Sequence, residues 1–78
     1  MARLVFLGRL ADVDGAAERA VEPGPLAEVL ASLPGSLAIA LLDERVRIAH
    51  NGVLVSDPES LKLEAGDELA FLPPVSGG

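Results

Sequence analysis

The spacing of apolar positions predicts one amphipathic helix in the first half of the chain. The apolar positions that recur at three- and four-residue intervals are Leu26, Val29, Leu30 and Leu33. They form a single stripe, which is typical of a helix of about nine residues that packs one side against a core. Pro25 suits the first helical position, where its missing N–H is not needed, and Pro34-Gly35 ends the helix.

Short apolar runs on both sides of this helix predict the strands of a sheet. The predicted strands cover residues 3–7, 17–22, 46–50, 53–55 and 68–72. Asp14-Gly15 predicts the turn of a first hairpin, and Asn51-Gly52 predicts a tight turn in a second one. Leu37–Leu42 is compatible with a short helix or a buried strand, and we favour the helix. Ser56–Glu59 predicts a turn in which Ser56 and Glu59 cap one another.

The order of these elements predicts the fold class. Hairpin, helix, short helical segment, hairpin and last strand follow one another, which is the order of an α+β domain with the β-grasp (ubiquitin-like) fold. We expect a mixed sheet packed on one main helix. The last strand is the most apolar, so it should lie inside the sheet, beside and parallel to the first strand. The expected domain covers residues 1–72, and residues 73–78 form an extended, flexible C-terminal tail.

Composition narrows the range of possible functions. The chain has 78 residues, with six Lys and Arg against twelve Asp and Glu, and a net charge of -6. This charge makes nucleic acid an unfavourable partner and favours basic protein surfaces. The absence of cysteine excludes disulfides, thiolate metal sites and a cysteine nucleophile. No apolar run approaches the roughly 20 residues that span a bilayer, and Met1–Leu4 lacks a secretory pattern, so we expect a cytoplasmic protein without membrane contact.

The C-terminal tail carries the strongest chemical signal. Pro73 and Pro74 cannot continue a sheet and favour a stiff, extended chain, while Gly77-Gly78 has no Cβ. Residues 73–78 reach about 20 Å when extended, so they can thread a narrow channel and deliver the Gly78 carboxylate to a partner's active site. A carboxylate must be activated before acyl transfer, and the chain has no phosphate-binding loop. We therefore expect a substrate or carrier rather than an enzyme.

Two parts of the sequence resemble the small subunit of molybdopterin synthase. The more specific part is Gly66–Gly78, which contains the run Phe-Leu-Pro-Pro-Val over residues 71–75 and ends in two glycines. The other part combines Leu37–Leu41 with Asn51–Val55. The start, Val5-Phe6-Leu7, is compatible but less specific, and with it the resemblance covers essentially the whole chain. Leu72 departs from the pattern, because the family often has a second aromatic residue there.

The resemblance implies a sulfur-carrier mechanism in which partners supply the catalysis. A ubiquitin-activating-type enzyme would use ATP to adenylate Gly78, and a sulfur donor protein would convert it to a thiocarboxylate. The large synthase subunit would accept the tail, with Gly77 passing through its channel. Sulfur would then pass to cyclic pyranopterin monophosphate, in a heterotetramer of two small and two large subunits. The chain itself would bind no cofactor stably and no metal.

Strand alternation predicts where a partner docks. Arg3 marks the solvent side of the first strand and places Leu7 there, and Glu68 places Leu72 on the solvent side of the last strand. If the two strands pair, Leu7 and Leu72 form an apolar patch beside the tail, and Leu54 joins it from the second hairpin. The resemblance agrees, because this family docks its large subunit through apolar sheet residues at these positions. The tail residues expected to contact the partner are Pro73, Pro74, Val75 and Ser76.

Other polar residues receive structural interpretations. His50, the single histidine, is predicted to be a solvated turn residue, and the sole lysine, Lys62, is given no role. The acidic pairs Asp43-Glu44 and Asp67-Glu68 are read as solvated charge rather than a metal site. We expect Asp67-Glu68 to lie near the tail exit and to meet basic residues of a partner.

Three alternative functions remain open from the sequence. A ubiquitin-like protein modifier would join Gly78 to lysines of target proteins after the same activation step. A thiamine-type sulfur carrier would also end in glycines, although such carriers usually lack the Phe-Leu-Pro-Pro-Val run. A structural binding module would carry the tail without using it.

Overall fold

The computed structural model describes residues 1–74, so the expectations for Val75, Ser76, Gly77 and Gly78 lie outside the described part of the chain. The strands are β1 (Ala2–Phe6), β2 (Glu18–Val21), β3 (Gly24–Pro25), β4 (Arg47–His50), β5 (Val53–Leu54), β6 (Lys62–Leu63) and β7 (Glu68–Leu72). The α-helices are α1 (Leu26–Ala31) and α2 (Gly35–Leu41). Short 3₁₀ helices cover Gly8–Asp12 and Pro58–Ser60.

The last strand occupies the centre of the main sheet, as predicted. This sheet has the order β2-β1-β7-β4-β5, and β3 and β6 form a separate two-stranded pair. Strand β7 runs parallel to β1 and antiparallel to β4, with Phe71 opposite both Phe6 and Ile48. The prediction of an α+β fold with a mixed β-grasp sheet is confirmed. The central position of β7 also means that the chain leaves the sheet between two neighbouring strands rather than at an edge.

One face of the sheet packs against the helices and forms the core. Leu4, Leu69 and Phe71 are fully buried, and the rings of Phe6 and Phe71 stack with their centroids 5.8 Å apart. The helices add Leu26, Val29, Leu37 and Leu41 to the same buried cluster. Side chains alternate between buried and partly exposed along β7, because successive residues of a strand point to opposite faces. The other face of the main sheet therefore points away from this core.

The helix prediction is correct in place but wrong in its boundaries. Pro25 has ψ 143°, belongs to β3 and pairs with Lys62, so the helix begins after it rather than at it. The helix ends at Ala31, and Ser32 then donates its hydroxyl to the Val29 carbonyl at 2.6 Å. Leu33 lies beyond the last helical residue but is buried like the apolar residues of the helix. The apolar stripe therefore extends past the end of the helix, and the prediction placed that end too late.

The remaining local predictions have mixed outcomes. The ambiguous run after Pro34 is helical, as we favoured, and α2 has seven residues against six in α1, so the sheet packs on two short helices. Asn51 and Gly52 have φ of 50° and 85°, which confirms the tight turn between β4 and β5. The cap between Ser56 and Glu59 is wrong: Asp57 precedes the 3₁₀ turn and accepts a 2.8 Å hydrogen bond from Ser60.

Within residues 1–74, no helix combines the length and the apolar character that a membrane span requires.

Candidate functional site

The tail leaves the domain at the end of the central strand, where three elements meet. Strand β7 ends at Leu72, and Pro73 and Pro74 follow it partly exposed. On one side the chain after β1 lies against the exit, because the Leu7 N–H donates to the Phe71 carbonyl at 3.0 Å. Gly8 is so close that an added Cβ would lie 3.0 Å from Cγ of Pro73. On the other side β4 begins, with Arg47 opposite Leu72.

The sheet face opposite the helices presents a row of apolar side chains across four strands. The strand registers place Val5 opposite Ala70, Ala70 opposite Ala49, and Ala49 opposite Leu54. Residues that lie directly opposite one another share a face of the sheet. The first three are partly exposed and Leu54 is 67% exposed, so none of the described elements covers this row. The small alanines leave room for side chains of a docking partner.

A second row lies nearer to the tail exit and contains Leu7, Leu72 and Arg47. Leu7 directly follows the pair formed by Phe6 and Phe71, which places it beside Leu72. Leu7 is 41% exposed and Leu72 is partly exposed, as strand alternation predicts. Leu54 lies on the same face but two strands away, in the first row. The role of these residues in partner binding stays a prediction.

Sequence reasoning missed Ala49 and Arg47 as members of this face. Strand β4 alternates in the sequence, so its two faces were visible, but the pattern does not say which strand lies beside it. Only the pairing of Ala49 with Ala70 and of Arg47 with Leu72 brings these residues next to the tail exit. The apolar rows and the exit together make a surface that a protein partner can cover while it receives the tail.

The far end of the same sheet face is charged, and its charges are paired. Arg3 contacts Glu68 at 2.7 Å and Glu18 at 3.2 Å. The hydrogen bond to Glu68, followed by the charges of Glu18 and Glu68, raises the pKa of Arg3. The three residues join β2, β1 and β7 at the end where β7 begins. This location contradicts the expectation that Asp67-Glu68 lies near the tail exit, since five strand residues span about 13 Å.

Asp67 forms a hydrogen-bond network at that same far end. Its carboxylate accepts from the Glu64 backbone N–H at 2.9 Å and from the Asn51 side chain at 3.1 Å, and it lies 2.8 Å from Nε2 of His50. The bonds from Glu64, His50 and Asn51, in that order, lower the pKa of Asp67 to about 2. His50 is thus the last residue of β4 and is bound to a carboxylate, so the prediction of a solvated turn residue is wrong.

In the acidic pair after α2, Asp43 is bound by Arg45. Asp43 accepts from Nε and from a terminal nitrogen of Arg45 at 3.2 and 3.0 Å. Hydrogen bonds from the Arg45 side chain and backbone lower the pKa of Asp43 to about 2, with a smaller contribution from the charge of Arg9. Across the described residues, no three His, Cys, Asp or Glu side chains come together as a set that could hold a metal ion.

Solved structures with the same fold match almost the whole chain. SAMP1 from Haloferax volcanii is 25% identical with a TM-score of 0.72, covering 99% of this chain and 98% of that one. A complex of subunits 1 and 2 of molybdopterin-converting factor from Helicobacter pylori 26695 contains a chain that is 25% identical with a TM-score of 0.71, over 99% and 97%. The Amycolatopsis orientalis BexX/CysO complex matches at 19% identity with a TM-score of 0.75, over 100% of both chains.

These likenesses place the chain among small ubiquitin-like proteins of the β-grasp fold. A sequence model of the ThiS family matches residues 4–78, and the chain belongs to this family of small sulfur carriers. No curated protein matches the sequence significantly.

Proposed function

We propose that this protein is the sulfur carrier of molybdenum cofactor biosynthesis. The Gly78 carboxylate is adenylated by a partner, converted to a thiocarboxylate, and used to pass sulfur to cyclic pyranopterin monophosphate in complex with the large subunit of molybdopterin synthase. In this proposal the chain is a co-substrate and a non-catalytic subunit. ATP is consumed by the activating partner and is not a cofactor of the carrier.

The observation that carries the proposal is the position of the tail relative to the open sheet face. Strand β7 ends at Leu72, between Gly8 and Arg47 and beside Leu7, so Pro73 and Pro74 leave the sheet at this end. A partner that covers the two rows of side chains has Pro73 and Pro74 at the edge of the surface that it buries. Such a partner can therefore bind the folded body and act on Gly78 at the same time. The likeness to a molybdopterin-converting factor chain, solved as a complex of two subunits, supports the choice of partner.

The proposed chemistry requires the partners to supply every catalytic group. An oxygen of the Gly78 carboxylate attacks the α-phosphorus of ATP, and pyrophosphate leaves. The sulfur nucleophile then attacks the acyl carbon, and AMP leaves with the original oxygen, so that one oxygen of the terminus is replaced by sulfur. The described residues of the carrier contribute the docking surface and the direction of the tail, and none of them needs to touch the reacting atoms.

Reconstitution tests the proposal directly. The carrier is incubated with the ubiquitin-activating-type enzyme of its source organism, ATP and sulfide, and its intact mass is measured. We expect the mass change of one oxygen replaced by one sulfur, and we expect none after deletion of Gly78. Addition of the large synthase subunit and cyclic pyranopterin monophosphate should then return the carrier to its original mass. A loaded carrier that fails to react in this second step would contradict the molybdenum cofactor assignment.

A protein-modifier role is the second candidate, because the matched Haloferax volcanii chain is a small archaeal modifier protein. In that case Gly78 forms an isopeptide bond with a target lysine, and branched Gly-Gly remnants appear on other proteins after digestion. The ThiS family match also supports a thiamine-type carrier. That alternative predicts a thiocarboxylate that is consumed in thiazole formation and is not consumed by the large synthase subunit.

A further inference from the structure

The Lys and Arg side chains of this acidic protein differ in whether they form ion pairs. Within residues 1–74, Arg3, Arg19 and Arg45 each form an ion pair with a carboxylate. Arg9, Arg47 and Lys62 are exposed and form no ion pair there. Three of the six Lys and Arg side chains therefore form no ion pair within residues 1–74, although the chain has twelve acidic side chains. Their positions therefore carry information.

Two of these three cations flank the tail exit. Arg47 begins β4 opposite Leu72, so its side chain lies on the open face beside the last strand residue. Arg9 follows Gly8, which approaches Pro73 on the opposite side of the exit. Because β7 lies between β1 and β4, the two arginines stand on either side of the emerging chain. Lys62 lies in β6, which belongs to the separate two-stranded pair.

The acidic residues of this region do not neutralise the two arginines. Asp43 is held by Arg45 through two side-chain contacts, and Glu44 lies close enough to Arg45 to act on its charge. Arg9 lies near Asp43 without forming an ion pair with it. Asp43 is thus engaged by Arg45, and within residues 1–74 neither Arg9 nor Arg47 forms an ion pair.

We propose that Arg9 and Arg47 form a cationic pair that binds carboxylates at the mouth of the channel through which a partner protein receives the tail. This inference rests on the proposed function, since it concerns the protein that acts on Gly78. The two arginines lie at the base of the tail, and a partner that binds residues 73–78 fully extended would hold Gly78 about 20 Å further on. They therefore contact the entrance of the channel, and the reacting nucleotide at its far end is out of their reach.

The proposed pair would be a local exception to the expectation from net charge alone. A charge of -6 favours basic surfaces in general, but Arg9 and Arg47, beside the exit, form no ion pair with any described carboxylate. Complementary charges at the rim of an interface raise the rate of encounter and select the orientation. An acidic channel mouth would attract the end of the carrier that carries Arg9 and Arg47 and would repel the acidic remainder. The carrier would therefore approach with its tail towards the channel.

Equilibrium binding of the unloaded carrier to the adenylating enzyme, without ATP, tests this inference independently of chemistry at Gly78. We expect Arg9→Glu and Arg47→Glu each to raise Kd about tenfold at low salt, and we expect the difference from wild type to shrink as salt is added. Lys62→Glu is the matched control, because it makes the same charge change at an exposed cation away from the exit. We expect it to leave Kd within about twofold of wild type.

The outcomes separate the two proposals. If Lys62→Glu weakens binding as much as Arg47→Glu does, only the overall charge matters and the cationic pair is wrong. If both arginine variants bind like wild type while the wild-type carrier is loaded normally with sulfur, the pair is again wrong and the proposed function stands. If the wild-type carrier does not bind the adenylating enzyme, both proposals fail together.

Discussion

The two ends of the open sheet face use the same kinds of residues in opposite ways. At the end where β7 begins, Arg3 is held by Glu18 and Glu68, and the Asp67 carboxylate meets three nitrogens. At the end where β7 stops, Arg47 has no ion-pair partner within residues 1–74, and Leu7 is 41% exposed. At the Asp67 end, polar groups bind one another within the domain. At the Leu72 end, Arg47 and Leu7 remain accessible to a partner.

This difference indicates which end stabilises the fold and which end meets partners. Hydrogen bonds and ion pairs within the domain contribute to folding, and a partner would have to break them before it could use those groups. Open groups contribute little to folding and can be used by a partner without that cost. The comparison therefore predicts that substitutions at the Asp67 end change stability more than binding, and that substitutions at the Leu72 end do the reverse.

The largest loss of stability is expected from a substitution of Phe71, whose ring lies in the core beneath the sheet face. Phe71 is fully buried and stacks on Phe6, so Phe71→Ala should lower the free energy of unfolding by about 3–5 kcal/mol. In a domain of this size such a loss removes most of the stability. Urea unfolding followed by circular dichroism measures it. Phe71→Leu keeps part of the buried volume and should lose less. If both variants unfold at the wild-type midpoint, Phe71 does not contribute to the core in the way that its burial indicates.

The next effect concerns binding at the open end. Leu72→Asp removes an apolar side chain from the row beside the exit and places a carboxylate opposite Arg47, so a partner loses an apolar contact and also finds Arg47 engaged. We expect at least a roughly tenfold rise in Kd for the adenylating enzyme or the large synthase subunit, with little change in the urea midpoint.

The control for this variant lies on the other side of the molecule. Ile39 is 74% exposed on α2, and Ile39→Asp makes the same change of charge and polarity away from the sheet face. It should leave Kd unchanged. Equal losses of affinity for the two variants would mean that the open sheet face has no special role.

The sequence predicted local periodicity well and long-range partners poorly. Strand β7 has the predicted limits, Glu68–Leu72, because a short apolar run lies between the turn at Ala65–Asp67 and two prolines that end it. The tight turn at Asn51-Gly52 was predictable because few residue pairs adopt two positive φ angles. In contrast, Pro25 pairs with Lys62, which lies far along the chain, and no local pattern contains that contact.

The candidate site shows the same limit. Leu7 and Leu72 were predictable as neighbours because a parallel pairing of the first and last strands follows from their composition and order. His50 and Asp67 lie 17 residues apart, and their contact depends on how the second hairpin meets the turn before β7. Arg47 gave no signal of its own, because an exposed arginine in a strand reads as a solvated side chain until its neighbours are known.

The third prediction weakens the closed end through Asp67. Asp67→Asn replaces an acceptor that meets three nitrogens, so it should lower the urea midpoint at neutral pH and leave Kd for the partners unchanged. The pKa of Asp67 is about 2, below the ordinary 3.8. Its contribution to stability is therefore complete above pH 3.8 and is lost as the pH falls towards about 2.

The pH dependence provides the check on this prediction. The difference in urea midpoint between wild type and Asp67→Asn should be constant above pH 3.8 and should shrink below it. Glu64→Gln is the control, because it keeps the backbone N–H that Asp67 accepts from and changes only a neighbouring exposed carboxylate. A difference that persists unchanged at pH 2 would show that the negative charge of Asp67 does not stabilise the fold.

The smallest expected effect compares two arginines on the same sheet face. Arg3→Gln removes the bridge between Glu18 and Glu68 and leaves the two carboxylates near each other, so the urea midpoint should fall slightly, by less than for Asp67→Asn. Exposed ion pairs contribute little to stability, and salt screens them, so the loss should shrink in high salt. Binding to the adenylating enzyme should not change.

Arg47→Gln makes the same substitution on β4, beside the tail exit. It should change binding and leave stability unchanged, which is the opposite of the result for Arg3→Gln. No carboxylate within residues 1–74 loses an ion pair, so the urea midpoint should stay at the wild-type value while Kd rises. The two variants form a cross-over test in which each end affects only one measurement. A fall in stability for Arg47→Gln equal to that for Arg3→Gln would mean that Arg47 serves the fold, and the distinction between a closed and an open end would be lost.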